Sequence, residues 1–139
     1  MASEPHRWPV RVYYEDTDAA GIVYYASYLR FAERARTEML RALGIGQEEM
    51  RRVHGLGFVV RRLEVDYPRP ARLDDELVIE TRPLRIGAAS LDLQQLVRRG
   101  DELLTRLVVQ VALVDDAGRP KRLPSVLRER LSGLGPVGP

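Results

Sequence analysis

Cysteine is absent from this chain, which excludes disulfides, thiolate metal sites and a cysteine nucleophile. Histidine is scarce: the only two, His6 and His54, lack the spacing of paired metal ligands. Lysine is nearly missing as well, Lys121 being the single one among 22 basic residues. This preference for Arg reads as coding bias or thermal adaptation. The basic residues are interleaved with Glu and Asp, and the net charge is only +2. A nucleic-acid partner is therefore not expected. No apolar run approaches the roughly 18 residues that a membrane helix needs. The opening MASEPHRWPV lacks the basic-then-apolar order of a secretory signal. A cytoplasmic protein without a membrane span is the expectation.

The 139 residues, 45% hydrophobic and 30% charged, are enough for one domain with a real core and too few for two. The domain is expected to span 1–139, with tails at 1–6 and 132–139 where Pro and Gly concentrate. Arg7 to Glu15 reads as a strand with Val10, Val12 and Tyr14 on one face. Asp16 to Gly21 reads as a turn, and Ile22 to Tyr25 as a short helical turn. Ser27 is an N-cap candidate for a helix running to Leu43. In that helix Tyr28, Phe31, Ala32, Ala35, Met39 and Leu43 recur at helical spacing, and Gly44 stops it. Glu33 with Arg36, and Arg34 with Glu38, are placed to pair along its surface.

Ile45 to His54 suggests a second short helix ended by Gly55. The remainder reads as strands over 58–67, 76–86, 90–99 and 102–114, with a last short helix over 124–131. In the first of these, Val59, Leu63, Val65 and Tyr67 share one face. One strand, a long helix, then consecutive strands with short links is an α+β pattern: an antiparallel sheet with a helix against one face.

The stretch YYEDTDAAGIVYYASYLRFAERARTEML carries more than pattern. It resembles the signature of the hotdog-fold acyl-CoA thioesterases, in particular the 4-hydroxybenzoyl-CoA thioesterase-like group and its Tol-Pal-associated bacterial members. The resemblance implies an antiparallel sheet wrapped around the long helix. It also implies a homodimer or homotetramer with active sites at the dimer interface, acyl-CoA as substrate, and no cofactor. It puts the essential carboxylate at Asp18 and the oxyanion-polarising backbone N–H at Tyr25, with Gly21 in the turn between them. Ile22, Val23, Tyr24, Ser27 and Tyr28 would then border the substrate. One departure stands out: the Tol-Pal-linked relatives commonly carry His where this chain has Tyr25, whereas the 4-hydroxybenzoyl-CoA enzymes carry Tyr.

The residues suit that chemistry. A carboxylate can attack a thioester carbonyl or activate water. Backbone N–H groups at a helix start are unsatisfied and lie at the positive end of its dipole, so they can hold the developing oxyanion. A thiolate leaves readily, so no strong general acid is required. By residue type alone, Asp16 competes with Asp18, and either could bond turn amides. Glu33 either pairs with Arg36 or orders water in the site. Tyr24 and Tyr25 could also serve as core aromatics. For the phosphates of coenzyme A, Arg61, Arg62, Arg85 and the Gly87-Ala88-Ala89-Ser90 bend are the candidates. Two other readings remain: a hotdog hydratase or dehydratase, and a non-enzymatic acyl- or partner-binding module.

Overall fold

In a computed structural model describing residues 4–134, the alternating segments pair into a five-stranded sheet, every neighbouring pair antiparallel. The strands are β1 (His6–Arg11), β2 (Leu56–Asp66), β3 (Glu76–Ile86), β4 (Ser90–Arg99) and β5 (Glu102–Asp115), in the order β1-β3-β4-β5-β2. Three helices complete the fold: α1 (Ser27–Ala42), α2 (Gln47–His54) and α3 (Ser125–Ser132). Gly55 closes α2 in the left-handed region, at φ 63°, a conformation that a residue without Cβ adopts most cheaply.

The helix α1 lies on one face of the sheet because its apolar stripe has nowhere else to go. Tyr28, Phe31, Ala32 and Ala35 pack with Val10 of β1, Leu77 and Ile79 of β3, Val97 of β4, and Leu104 and Leu107 of β5. Met39 and Leu40 continue the stripe onto Leu91, Leu93, Val109 and Leu113, and α3 closes that end with Leu127 and Leu131. A polar pin crosses this interface. The fully buried Gln95 donates from Nε2 to the Ala32 carbonyl at 2.8 Å and to Thr81 Oγ1 at 3.1 Å.

Several sequence expectations change at the ends of elements. The first strand stops at Arg11 and not at Glu15. The Tyr13 N–H donates to Asp16 Oδ2 at 2.8 Å, curling Tyr14–Asp16 into a 3₁₀ turn that leaves Tyr14 82% exposed. Ile22 and Val23 form extended bridges, to Arg72 and Thr17, where a helical turn was expected. Ser27 is the first helical residue rather than the cap, which is Ala26, and its Oγ accepts from Arg30 Nη2 at 2.8 Å. Glu38 pairs with Arg41 at 2.5 Å and not with Arg34.

In β2 the register shifts between Val60 and Arg62, so one extra residue breaks the two-residue period. Val60, Leu63 and Val65 oppose the core residues Val111, Val109 and Leu107, while Val59 opposes Ala112 on the other face. His6 belongs to β1 and pairs with Thr81, so the leading tail ends before it. Burial lowers its pKa, partly opposed by Glu38. Ser132 closes α3 and Leu134 packs on the core, so 132–134 are not part of the expected trailing tail, and 135–139 lie outside the described residues.

On the opposite face of the sheet, Glu80 is buried between Arg98 at 2.6 Å and Arg7 at 3.1 Å. Burial disfavours the charged carboxylate, but the two guanidinium groups outweigh it and hold the pKa below the ordinary value. A carboxylate with a depressed folded pKa binds its proton less readily folded than unfolded. Its stabilisation is therefore complete above about pH 4.3, the ordinary glutamate value, and is lost as pH falls through the lower folded pKa. Chemical denaturation at stepped pH should show Glu80→Gln losing stability against wild type at pH 7. The gap between the two proteins should narrow steadily as the medium is acidified below pH 4.

Candidate active site

Between Asp16 and Tyr24 the chain doubles back on itself. Tyr24 N–H donates to the Asp16 carbonyl at 2.9 Å, Thr17 bridges Val23, and Asp18 N–H donates to the Ile22 carbonyl at 2.9 Å. Gly21 makes the reversal possible at φ 77°, with its N–H on the Asp18 carbonyl at 3.0 Å. The segment behind the loop is held just as firmly. Val23 N–H donates to the Ala71 carbonyl at 2.8 Å, and Ala71 N–H donates to the Tyr28 hydroxyl at 2.9 Å.

This hairpin gives the two aspartates different surroundings. Asp16 is 6% exposed and its carboxylate holds the Tyr13 amide. Asp18 is exposed; its Oδ1 accepts from Ala20 N–H at 2.9 Å. Among the described residues, nothing donates to its other oxygen. A short side chain tied by one oxygen has its direction set while the other oxygen remains available to a substrate or water.

Tyr25 stands in the turn that leads into α1. The Ser27 N–H reaches back to the Tyr24 carbonyl at 2.8 Å, leaving Tyr25 at the apex. Among the described residues no acceptor takes the Tyr25 N–H, whereas its carbonyl accepts from the Tyr67 hydroxyl at 3.1 Å. The Tyr25 ring is exposed and packs beside that of Tyr24, with centroids 4.5 Å apart. Tyr67 also packs 5.4 Å from the Tyr28 ring, and burial raises the Tyr67 pKa. Tyr67 was assigned only a face of β2 in the sequence. Its position just before Pro68 at the strand end was the available sign that it could turn toward the loop.

The remaining sequence candidates divide by location. Gly21, Ile22 and Tyr24 share the loop surface with Asp18 and Tyr25. The side chains of Val23, Ser27 and Tyr28 lie inside the protein's own packing, Tyr28 at 2% exposure. Arg61 sits at the β2 bulge, about 20 Å along the strand from Tyr67 at ~3.3 Å per residue. Arg85 and Ser90 flank the β3–β4 hairpin, about 30 Å from the end of β3 that meets the loop. One protomer therefore does not bring these three beside Asp18. The hairpin carbonyls are also engaged: Ala88 accepts from Leu123 N–H at 2.8 Å, Ala89 from Leu113 N–H at 2.9 Å, and Gly87 from Arg128. Exposed His54 ends α2 beside Arg51 and Arg52, where cations meet the negative end of the helix dipole.

A cleft of ≈ 210 Å³ opens between α1 and β2, lined by Glu33, Arg36, Thr37, Gln47, Phe58 and Val60 among others. The expected Glu33–Arg36 ion pair does not form. The Arg36 guanidinium turns to Gln95 Oε1 at 3.4 Å. No helix among the described residues is long and apolar enough to cross a membrane, and no cluster among them could hold a metal ion.

The comparison with known proteins agrees with this architecture. The family model of the thioesterase-like superfamily matches residues 12–131. The acyl-CoA thioesterase YbgC of Haemophilus influenzae is 47% identical over 115 residues, covering 83% of this chain and 85% of that one. The acyl-CoA thioester hydrolase YbgC of Escherichia coli is 48% identical over 120 residues, covering 85% and 89%. A probable thioesterase from Bartonella henselae superposes with a TM-score of 0.84 at 41% identity, covering 86% of this chain and 99% of that one. With that loop, that sheet and these relatives, the chain belongs to the thioesterase-like superfamily, as a hotdog-fold thioester hydrolase.

Proposed function

We propose that this protein hydrolyses acyl-CoA thioesters to the free acid and coenzyme A in the cytoplasm, with Asp18 and the Tyr25 amide as its catalytic groups. The observation that carries the reading is the pairing, on one tightly bonded loop, of a carboxylate oxygen and a backbone N–H that are both unoccupied. The Asp18 carboxylate attacks the thioester carbonyl or takes a proton from the attacking water. The carbonyl oxygen gains negative charge as the tetrahedral centre forms, and the Tyr25 N–H holds it. Coenzyme A leaves as thiolate and is protonated. If Asp18 has attacked, water then opens the acyl–Asp18 anhydride, releasing the acid and restoring the carboxylate; if Asp18 has activated water, that water supplies the oxygen of the acid directly. One oxyanion donor of this kind lowers the barrier by about 3 kcal/mol.

The working unit of the proposal is a homodimer, the building block of a homotetramer. β2 is a sheet edge with exposed Val59, Val60 and Leu63, a surface that isolated proteins avoid leaving bare. Antiparallel pairing of β2 with its copy across a two-fold axis sets the Tyr67 end of one strand beside the Phe58 end of the other. The Asp18 loop of one protomer then faces the α1–β2 cleft of its partner. The same arrangement carries the partner's Arg61, Arg85 and Ser90 toward this loop, where separate protomers leave them far away.

The test is release of free thiol from a panel of straight-chain and aromatic acyl-CoAs by the purified protein, with light scattering on the same sample. Thioester turnover by a species of two or four chains is expected. A monomer without turnover on any acyl-CoA would sink the proposal, and hydration of a crotonyl thioester without thiol release would mark a hydratase instead.

A further inference from the structure

Arg36 is out of place as a helix surface residue. It projects from α1 into the cleft against β2, where Met39, Leu40, Phe58, Val60, Leu91 and Leu93 form an apolar side and Glu33, Thr37 and Gln47 a polar one. It also borders the smaller hollow beside that cleft, next to Leu29, Ala32 and Leu63. Its only hydrogen bond among the described residues is the long donation to Gln95. Burial lowers its pKa, and the Glu33 charge opposes this from a distance, without a contact ion pair. A guanidinium carries five N–H donors and stays charged. Gln95 Oε1 takes one of these donors, at 3.4 Å, so the others remain available to an oxygen acceptor entering the cleft.

The geometry points to Arg36 as the group that selects the acyl chain, by binding an oxygen acceptor, carboxylate or hydroxyl, at the chain's far end. This rests on the proposed thioesterase reading and extends it to the substrate. The two-fold arrangement explains how the chain reaches Arg36: the thioester carbonyl sits at Asp18 and Tyr25 of one protomer, and the acyl group runs into the partner's cleft. The cleft also limits length. At ≈ 210 Å³ it suits a short acyl chain. Glu33 at the cleft wall offsets part of the Arg36 charge, which is why a neutral hydroxyl is a fitting terminus alongside a carboxylate.

The test compares three thioesters of equal chain length: valeryl-CoA, 5-hydroxyvaleryl-CoA and glutaryl-CoA. Wild type should turn over at least one of the oxygen-terminated pair with kcat/KM about tenfold or more above valeryl-CoA. Arg36→Met should remove that preference, mostly through KM, bringing the three substrates to comparable kcat/KM, and Arg36→Lys should restore part of it. Equal or better use of valeryl-CoA by wild type would overturn the inference, as would an Arg36→Met loss common to all three substrates, which would indicate that the guanidinium pairs with protein. Should no thioester be hydrolysed, the parent reading fails separately. Calorimetric titration of glutarate, 5-hydroxyvalerate and valerate into wild type and Arg36→Met then decides the inference by the same ratio. If Arg36→Met does not fold, the wild-type ratios decide it alone.

Discussion

Replacing Asp18 with Asn is expected to lower kcat for acyl-CoA hydrolysis by a factor on the order of 10²–10⁴, the range of a positioned acid or base, while KM changes little. The amide keeps an oxygen for the Ala20 N–H, so the loop retains its shape and the melting temperature should stay close to wild type. What is lost is the charge and basicity of the second oxygen. Asp16→Ala supplies the contrast. There the carboxylate is buried and accepts a backbone amide, so its loss should appear as about 1–3 kcal/mol of stability and only slightly as turnover. Steady-state kinetics with thermal melts on both variants separates the two aspartates. Equal activity of wild type and Asp18→Asn would remove Asp18 from the mechanism. Single turnover in ¹⁸O-labelled water then distinguishes attack from water activation, since only direct attack leaves label in Asp18.

The largest loss of stability is expected from Phe31→Ala. Phe31 is 1% exposed at the point where α1 meets β1, β3 and β5. It also packs edge-on to Tyr28 at 6.2 Å and 80°, which is the favoured geometry for two rings. Truncating a buried Phe costs about 3–5 kcal/mol, a large part of the stability of a domain this size. The melting temperature should fall by on the order of 10 °C, measured at fixed protein concentration because association also contributes. A shift of only one or two degrees would mean that α1 does not seal the sheet.

Much of the fold was legible because its causes are local. The stripe on α1 was readable from 3.6-residue spacing, and β3 and β4 from strand composition between turns. The misreadings arose where a single contact overruled periodicity. Tyr14 fits the alternation of β1, yet the Asp16 carboxylate captures the Tyr13 amide and turns the chain away. Val59 fits the face of β2 until the extra residue after Val60 reverses the count. Arg36 and Glu33 are spaced to pair on a helix surface, but the guanidinium faces inward, toward Gln95.

The site divides along the same line. Sequence by itself determined what the loop contains: an acid, a glycine that permits the reversal, and a helix start lie within a few residues of one another. It also determined the superfamily, because that signature is contiguous. Tertiary structure alone decided which aspartate is buried, that Tyr67 reaches the Tyr25 carbonyl from a distant strand, and that Arg61, Arg85 and Ser90 lie far from Asp18 within one chain. Those outcomes depend on burial and on meetings between segments remote in the chain, which residue order does not encode locally.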